Sequence, residues 1–207
     1  MENVIDVYLR PYDAKRPVVC MDESSKQQIQ ELIDELPMKP GKAAKFDSEY
    51  KRNGVSNLFM MFEPLAGWRH VKVTDNRMAV DFAYCLRDLV DIHYPNVEKI
   101  ILVMDNLNTH TIASLYKAFS PEEAFRIAQK FEIHYTPKHG SWLNMAEIEF
   151  SALSRQCLKR RIPDQQTLIK EIEAWEVNRN NLTVKCCWQF TVENARTKLN
   201  KLYPIVK

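Results

Sequence analysis

The sequence predicts an α/β protein: a mixed β-sheet of roughly five strands flanked by helices, with a helical C-terminal extension. One apolar run, KIILVMDN (99–106), shows no alternation and so suits a central strand covered on both faces. Two other apolar runs flank Ala66–Gly67, the pattern of a hairpin. Beyond the hairpin, strands alternate with helical stretches, which implies parallel neighbours in the same sheet.

The elements follow in order. RPVVCMDES (16–24) reads as a buried strand that ends on Asp22. QQIQELIDELP (27–37) is short and amphipathic and is stopped by Pro37. Residues 37–53, polar and punctuated by Pro and Gly, suggest a surface loop. GVSNLFMMFEPL (54–65) and WRHVKVTDN (68–76) are the hairpin strands. From Arg77 to Tyr94, the residues Met78, Phe82, Leu86, Leu89 and Val90 recur at helical spacing until Pro95 closes the run. Helices are expected over 111–119 and 121–130, the second opened by SPEE with a cap, a first-turn proline and acids. FEIHYTP (131–137) is a further strand. SWLNMAEIEFSALSRQCLKRR (141–161) reads as one long helix with Ser141 as its N-cap. Helices over 164–180 and 191–202 fill the tail, so the expected division is a domain over 1–162 and an extension over 163–207 packed on it.

Composition narrows the class. With 45% apolar and 27% charged residues, the 207-residue chain has the make-up of an ordinary globular protein. It contains no apolar run long enough to cross a bilayer, and MENVIDVYLRPYDAKRP at the start lacks a signal-peptide core. The five cysteines are scattered without zinc-type spacing, which suits a reducing cytoplasm. A net charge of +2 argues nothing about nucleic acid. Lys51–Arg52, and Arg155 with Lys159, Arg160 and Arg161, offer basic stripes that suit phosphates or, equally, a solvated helix end.

The acids are more informative. Asp22 and Asp105 each end an apolar strand. If those strands are neighbours they lie about 4.8 Å apart. Carboxylates that close repel unless a cation sits between them, and Mg²⁺ is suited to the task. Either Asp alone would equally suit a turn. On the helix over 141–161, Leu143, Ala146, Phe150, Leu153 and Cys157 define a buried stripe. Glu147 lies on one flank of it with Asn144 and Ser151, Glu149 on the other, and spacing leaves both open. Asn106 and His110 follow Asp105 within a turn, without a zinc-hydrolase or Ser-His-Asp pattern. Trp68, Trp142, Trp175 and Trp188 suit core packing or base stacking.

VVCMDES, ILVMDNLNTH and YTPKHGSWLNMAEIEFSAL together resemble the catalytic blocks of bacterial insertion-sequence transposases of the mariner superfamily. These belong to the Asp-Asp-Glu group, which shares the ribonuclease H and retroviral integrase fold. The resemblance implies a ribonuclease H-like sheet and a triad of Asp22, Asp105 and Glu147 that both binds metal and carries catalysis. Glu147 matches the acid three residues after the Asn of SWLN. Asn106, His110, Lys138, His139, Asn144, Arg155, Lys159 and Arg160 then support the acids from behind or contact DNA.

The implied cofactor is a pair of Mg²⁺ ions, with Mn²⁺ able to substitute, clamping the scissile phosphate from sites roughly 3.5–4 Å apart. The implied reaction is cleavage of transposon ends followed by strand transfer into target DNA. Implied partners are terminal inverted repeats, target DNA at TA dinucleotides and a second copy of the chain. A nuclease without strand transfer would use the same acids, and a truncated transposase acting as a partner or inhibitor would need none of them. Only 21 residues precede Asp22, too few for the helix-turn-helix modules that such transposases carry. The chain therefore reads as a catalytic half served by a separate or frameshift-fused helix-turn-helix module, or as a decayed remnant. It is expected in the bacterial cytoplasm, on the nucleoid when bound to DNA, and not in a membrane.

Overall fold

In the computed structural model, which describes residues 1–32, 38–43, 49–106, 111–138 and 140–203, strand alternation decides which helices each side chain meets. The strands are β1 (Val18–Glu31), β2 (Tyr50–Glu63), β3 (Trp68–Thr74), β4 (Ile100–Met104) and β5 (Phe131–Tyr135). They form one sheet in the order β3-β2-β1-β4-β5. β1, β2 and β3 pair antiparallel, whereas β4 lies parallel to both β1 and β5. The helices are α1 (Glu2–Tyr8), α2 (Ala79–Asp88), α3 (Leu115–Ala118), α4 (Pro121–Ala128), α5 (Ala146–Gln156), α6 (Gln165–Asn181) and α7 (Val192–Lys198).

Each face of the sheet carries its own core. Cys20, Leu58, Met60, Phe62, Ile101 and Val103 pack on one side with residues of α1, α5, α6 and α7. Their sequence neighbours Val19, Met21, Phe59, Met61, Ile100, Leu102 and Met104 pack on the other with α2, α3 and α4. Every residue of β4 is buried, as expected for a strand covered on both faces. Among the described residues, no helix is long and apolar enough to cross a membrane.

Several elements differ from the sequence reading. β1 does not stop near Ser24 but runs on to Glu31, paired with a β2 that begins at Tyr50. Gln27–Glu31 are therefore strand, because pairing with residues 50–55 outweighs local amphipathic spacing. The first half of β2 is exposed, so this outer ribbon carries no core and leaves little apolar alternation to read. The helix after Arg77 is broken in two: α2 ends at Asp88 and a π-helical turn, Leu89–His93, follows it. α1 was not expected, although Val4, Val7 and Tyr8 are buried at helical spacing.

The tail helices share the core beneath α5, with Leu168, Ile172, Trp175 and Ala195 in the same cluster as Leu143 and Leu153. α6 also covers the exposed edge of β3. The Asn180 side chain accepts from the Arg69 N–H at 2.9 Å and donates to the Arg69 carbonyl at 2.8 Å. Glu176 accepts from the Val71 N–H at 2.9 Å. These side chains stand in for a missing strand and satisfy backbone groups at the edge. The β2–β3 turn closes on Gly67, where a φ of +70° and the 2.7 Å at which a Cβ would meet the Thr183 carbonyl carbon exclude a side chain.

Candidate active site

The parallel pairing of β1 with β4 aligns Cys20 with Val103. Two residues further on lie Asp22, within β1, and Asp105, one residue past the end of β4. Continued alternation puts both on the side of the sheet that Cys20 and Val103 share with α5. β4 ends here, beside a β1 that runs on to Glu31, so Asp22 lies within its strand and not at its end as the sequence suggested, at the point where the sheet passes from the hairpin side of β1 to the β4 side. Sheets of this kind place ligand sites at such a switch point.

A third acid arrives on α5. The helix does not begin at Ser141: residues Ser141–Leu143 form a 3-10 turn, Asn144 is extended, and α5 starts at Ala146. The cause lies in Asn144, which is buried. Its amide Nδ2 donates to the Met21 carbonyl at 2.8 Å, while its Oδ1 accepts from the Ala146 N–H at 3.2 Å. The Tyr8 hydroxyl donates to the Leu143 carbonyl at 2.7 Å. Asn144, one residue before the N-cap Met145, thus satisfies the first amide of α5 and ties the start of the helix to the backbone beside Asp22. Gly140 makes the approach possible, because a Cβ there would lie 2.6 Å from Pro137 Cγ and 2.9 Å from the Pro137 carbonyl oxygen.

The structure separates the glutamates that spacing left open. Glu147 is exposed in the first turn of α5. Glu149 is buried and held by Arg179, through contacts of 2.8 and 3.0 Å, with Arg69 Nε at 3.4 Å. Glu149 is thereby committed to joining α5, α6 and β3.

Electrostatics link Asp22 to the other acids. Burial pushes the Asp22 carboxyl up to about 7, against the opposing 2.8 Å hydrogen bond from the Glu23 N–H. The charges of Asp105, Glu147 and Glu23 contribute to that rise, after burial. Asp105 and Glu147 therefore each lie within electrostatic reach of Asp22. Among the described residues, however, no three His, Cys, Asp or Glu side chains form a ready-made metal cage. The donor chemistry suits a hard divalent cation that keeps several waters and takes further oxygens from a phosphate. Carboxylate oxygens such as those of Asp22, Asp105 and Glu147 are donors of that kind, although they are not already gathered into a cage.

The other expected site residues fall into separate places. Asn106 is exposed directly after Asp105, and Lys138 is exposed beyond β5. His110 and His139 lie outside the described residues. Arg155 is exposed and bonds the Ser151 carbonyl of its own helix. It lies eight residues beyond Glu147, roughly 12 Å along a helix axis, so it is not gathered with the acids. Lys159 and Arg160 lie further still, at a cleft of about 590 Å³ between the end of α5 and α6. Arg160 pairs there with Glu171. Tyr8, Arg69, Arg179 and Gly140 escaped sequence reasoning, and of these only Gly140, beside Pro137 in a polar connection, left a local signal.

The sheet order and its flanking helices define a ribonuclease H-like fold. The chain belongs to the DDE superfamily endonucleases, whose family model matches residues 17–169. A search of curated protein sequences finds no match. Among solved structures, the chain is similar to the Mos1 strand transfer complex at a TM-score of 0.60 and 13% identity, over 88% of this chain and 55% of that one. It is similar to the Mos1 mariner paired end complex with Mn at 0.56 and 15%, over 88% and 56%. For a pre-cleavage Mos1 transpososome the values are 0.53 and 16%, over 88% and 59%. At such identities the likeness establishes the fold. The chain spans a little over half the length of these Mos1 chains.

Two outcomes follow from the geometry. Glu149→Ala leaves Arg69 and Arg179 without their carboxylate and should lower stability to urea by about 3–5 kcal/mol. Glu147→Ala, at an exposed position, should change it by no more than about 0.5 kcal/mol. Equal losses would contradict the division of roles.

The second outcome concerns pH in metal-free protein. Asp22 holds its proton up to about 7 when folded, against a usual carboxyl value of 3.8. Between these values the folded state binds more protons than the unfolded chain, so this contribution to stability is present at low pH and is lost as pH rises through about 7. In EDTA, the stability of the native protein should decline over that window more steeply than that of Asp22→Asn. Parallel pH profiles would remove the basis for a shared carboxylate field.

Proposed function

We propose that this chain is the catalytic domain of a DNA transposase of the mariner superfamily from a bacterial insertion sequence. Asp22, Asp105 and Glu147 bind two Mg²⁺ ions, or Mn²⁺ in their place, and direct cleavage of transposon ends and strand transfer into target DNA. The observation that carries this reading is the electrostatic linkage of Asp22, within β1, to Asp105, just past the end of the neighbouring β4, and to Glu147 on α5. Membership of the DDE superfamily endonucleases supports it, as does the fold shared with the Mos1 mariner paired end complex with Mn and the Mos1 strand transfer complex.

When bound, the divalent cations supply Lewis-acid polarisation of the phosphate and activation of the attacking water or 3′-hydroxyl. The protein's part is positional. Asp105 follows the last residue of a fully buried strand, so its backbone has little freedom. Asp22, whose carboxyl burial and neighbouring acids hold up to about 7, would release its proton in order to hold such a cation, so its contribution to metal binding should strengthen as pH rises. Asn144 and Tyr8 act as positioning residues, fixing the turn that delivers Glu147. The exposure of Glu147 leaves the side of the site toward DNA open.

The same reading assigns residues 1–162 to the catalytic unit and residues 163–207 to an extension packed on it. Terminal inverted repeats, target DNA at TA, a second copy of the chain and a helix-turn-helix module are its proposed partners, in the bacterial cytoplasm.

The test is incubation of the purified chain with DNA carrying the element's ends, in Mg²⁺ or Mn²⁺. Nicking and joining are expected and should cease in EDTA. Asp105→Asn should slow both by roughly 10³-fold, since metal stabilisation of the transition state is worth several kcal/mol. Full activity of that variant would overturn the assignment, and cleavage without joining to a supplied 3′-hydroxyl would restrict it to a nuclease.

A further inference from the structure

The four tryptophans part company in the fold. Trp175 is buried, Trp68 and Trp188 are half-buried, and Trp142 remains 43% exposed. Trp142 sits in the 3-10 turn that precedes Asn144, in the segment that delivers Glu147. Its indole is nonetheless fixed. Trp188 stacks against it at 6.3 Å between centroids with 22° between planes, and Phe190 meets it edge-on at 6.0 Å and 80°. Trp188 is held in turn, since its Nε1 donates to the Phe190 carbonyl at 2.6 Å and its ring lies 5.1 Å from that of Tyr8. Tyr8 also bonds the Leu143 carbonyl, so this aromatic shelf and the first turn of α5 share one anchor.

Core packing accounts for Trp188 and Phe190, both of which pack against the core beneath α5, but not for the exposed part of Trp142. A large apolar ring kept in water and backed by other rings is already ordered, so a planar ligand stacking on it would cost little further side-chain entropy. Nucleic-acid bases present such planar faces, and stacking on indole is tolerant of sequence.

We propose that Trp142 is a positioning residue that stacks on a DNA base next to the phosphate addressed by Asp22, Asp105 and Glu147. This rests on reading those acids as a phosphodiester site. The base must first leave its own stack, so the contact favours unpaired or distorted DNA over regular duplex. The shelf then holds the strand against the turn that carries Glu147.

Binding measured in EDTA separates this contact from cleavage. The full chain is titrated with a labelled single-stranded oligothymidylate of about twelve nucleotides, and with a strand of equal length built from abasic sugar-phosphate units. Native protein should bind the base-bearing strand roughly tenfold more tightly. Trp142→Ala should reduce that ratio to near unity, whereas Trp142→Phe should retain most of it. Should the alanine variant not fold, the phenylalanine variant serves with a second readout. Oligothymidylate should quench the intrinsic indole fluorescence of native protein, and Trp142→Phe should abolish the quenching while keeping the preference. An unchanged ratio in Trp142→Ala, quenching that persists in Trp142→Phe, or no preference for bases in native protein would overturn the proposal. Failure of the metal-dependent reading appears instead as absent cleavage in Mg²⁺, which these measurements in EDTA do not involve.

Discussion

The parallel pairing of β1 with β4 is the constraint on which the site depends. It is a backbone interaction, indifferent to side chains, yet its register, carried two residues past the Cys20–Val103 pair, brings Asp22 and Asp105 to matching positions. Shifting either strand by one residue would turn its acid to the opposite face, toward the core beneath α2. The alternating burial of Val19, Cys20 and Met21 against different cores opposes such a shift. Apolar packing thus fixes the placement of charges that apolar packing alone would reject.

That placement works against the stability of the metal-free protein. Asp22 is half-buried and faces like charges, and its raised affinity for a proton records the cost. The contrast with Glu149 is instructive. Also buried, Glu149 is met by two arginines, and the group closes as an ion-paired tie between α5, β3 and α6. Two acids on one helix, two residues apart, therefore do opposite things. One is neutralised within the fold, and the other is left exposed beside acids with which it shares excess charge.

Much of this was legible in the sequence. A strand covered on both faces must be apolar throughout, so Ile100–Met104 announced itself, and with it the acid at its end. The mixed sheet followed from a hairpin and then alternating elements. Glu147 could not be separated from Glu149 by spacing, because the separation depends on Arg69 and Arg179, which are 80 and 30 residues from Glu149 in the chain. The start of α5 was misplaced for a related reason: Asn144 bonds the carbonyl of Met21, and that distant partner breaks what reads locally as one helix. The extension of β1 through Gln27–Glu31 was hidden because its stability comes from pairing with residues 50–55 and not from a buried face. Long-range polar contacts leave no period in a sequence, whereas burial does.

Divalent metal binding by these carboxylates is the central claim, and it can be measured without DNA or turnover. Mn²⁺ titration followed by the ion's electron-spin resonance should show binding to native protein. Replacement of Asp22, Asp105 or Glu147 by the corresponding amide should weaken that binding at least about tenfold. Glu149→Gln should leave it unchanged. Binding that survives the first three replacements, or that depends on Glu149 and not on Glu147, would contradict the account.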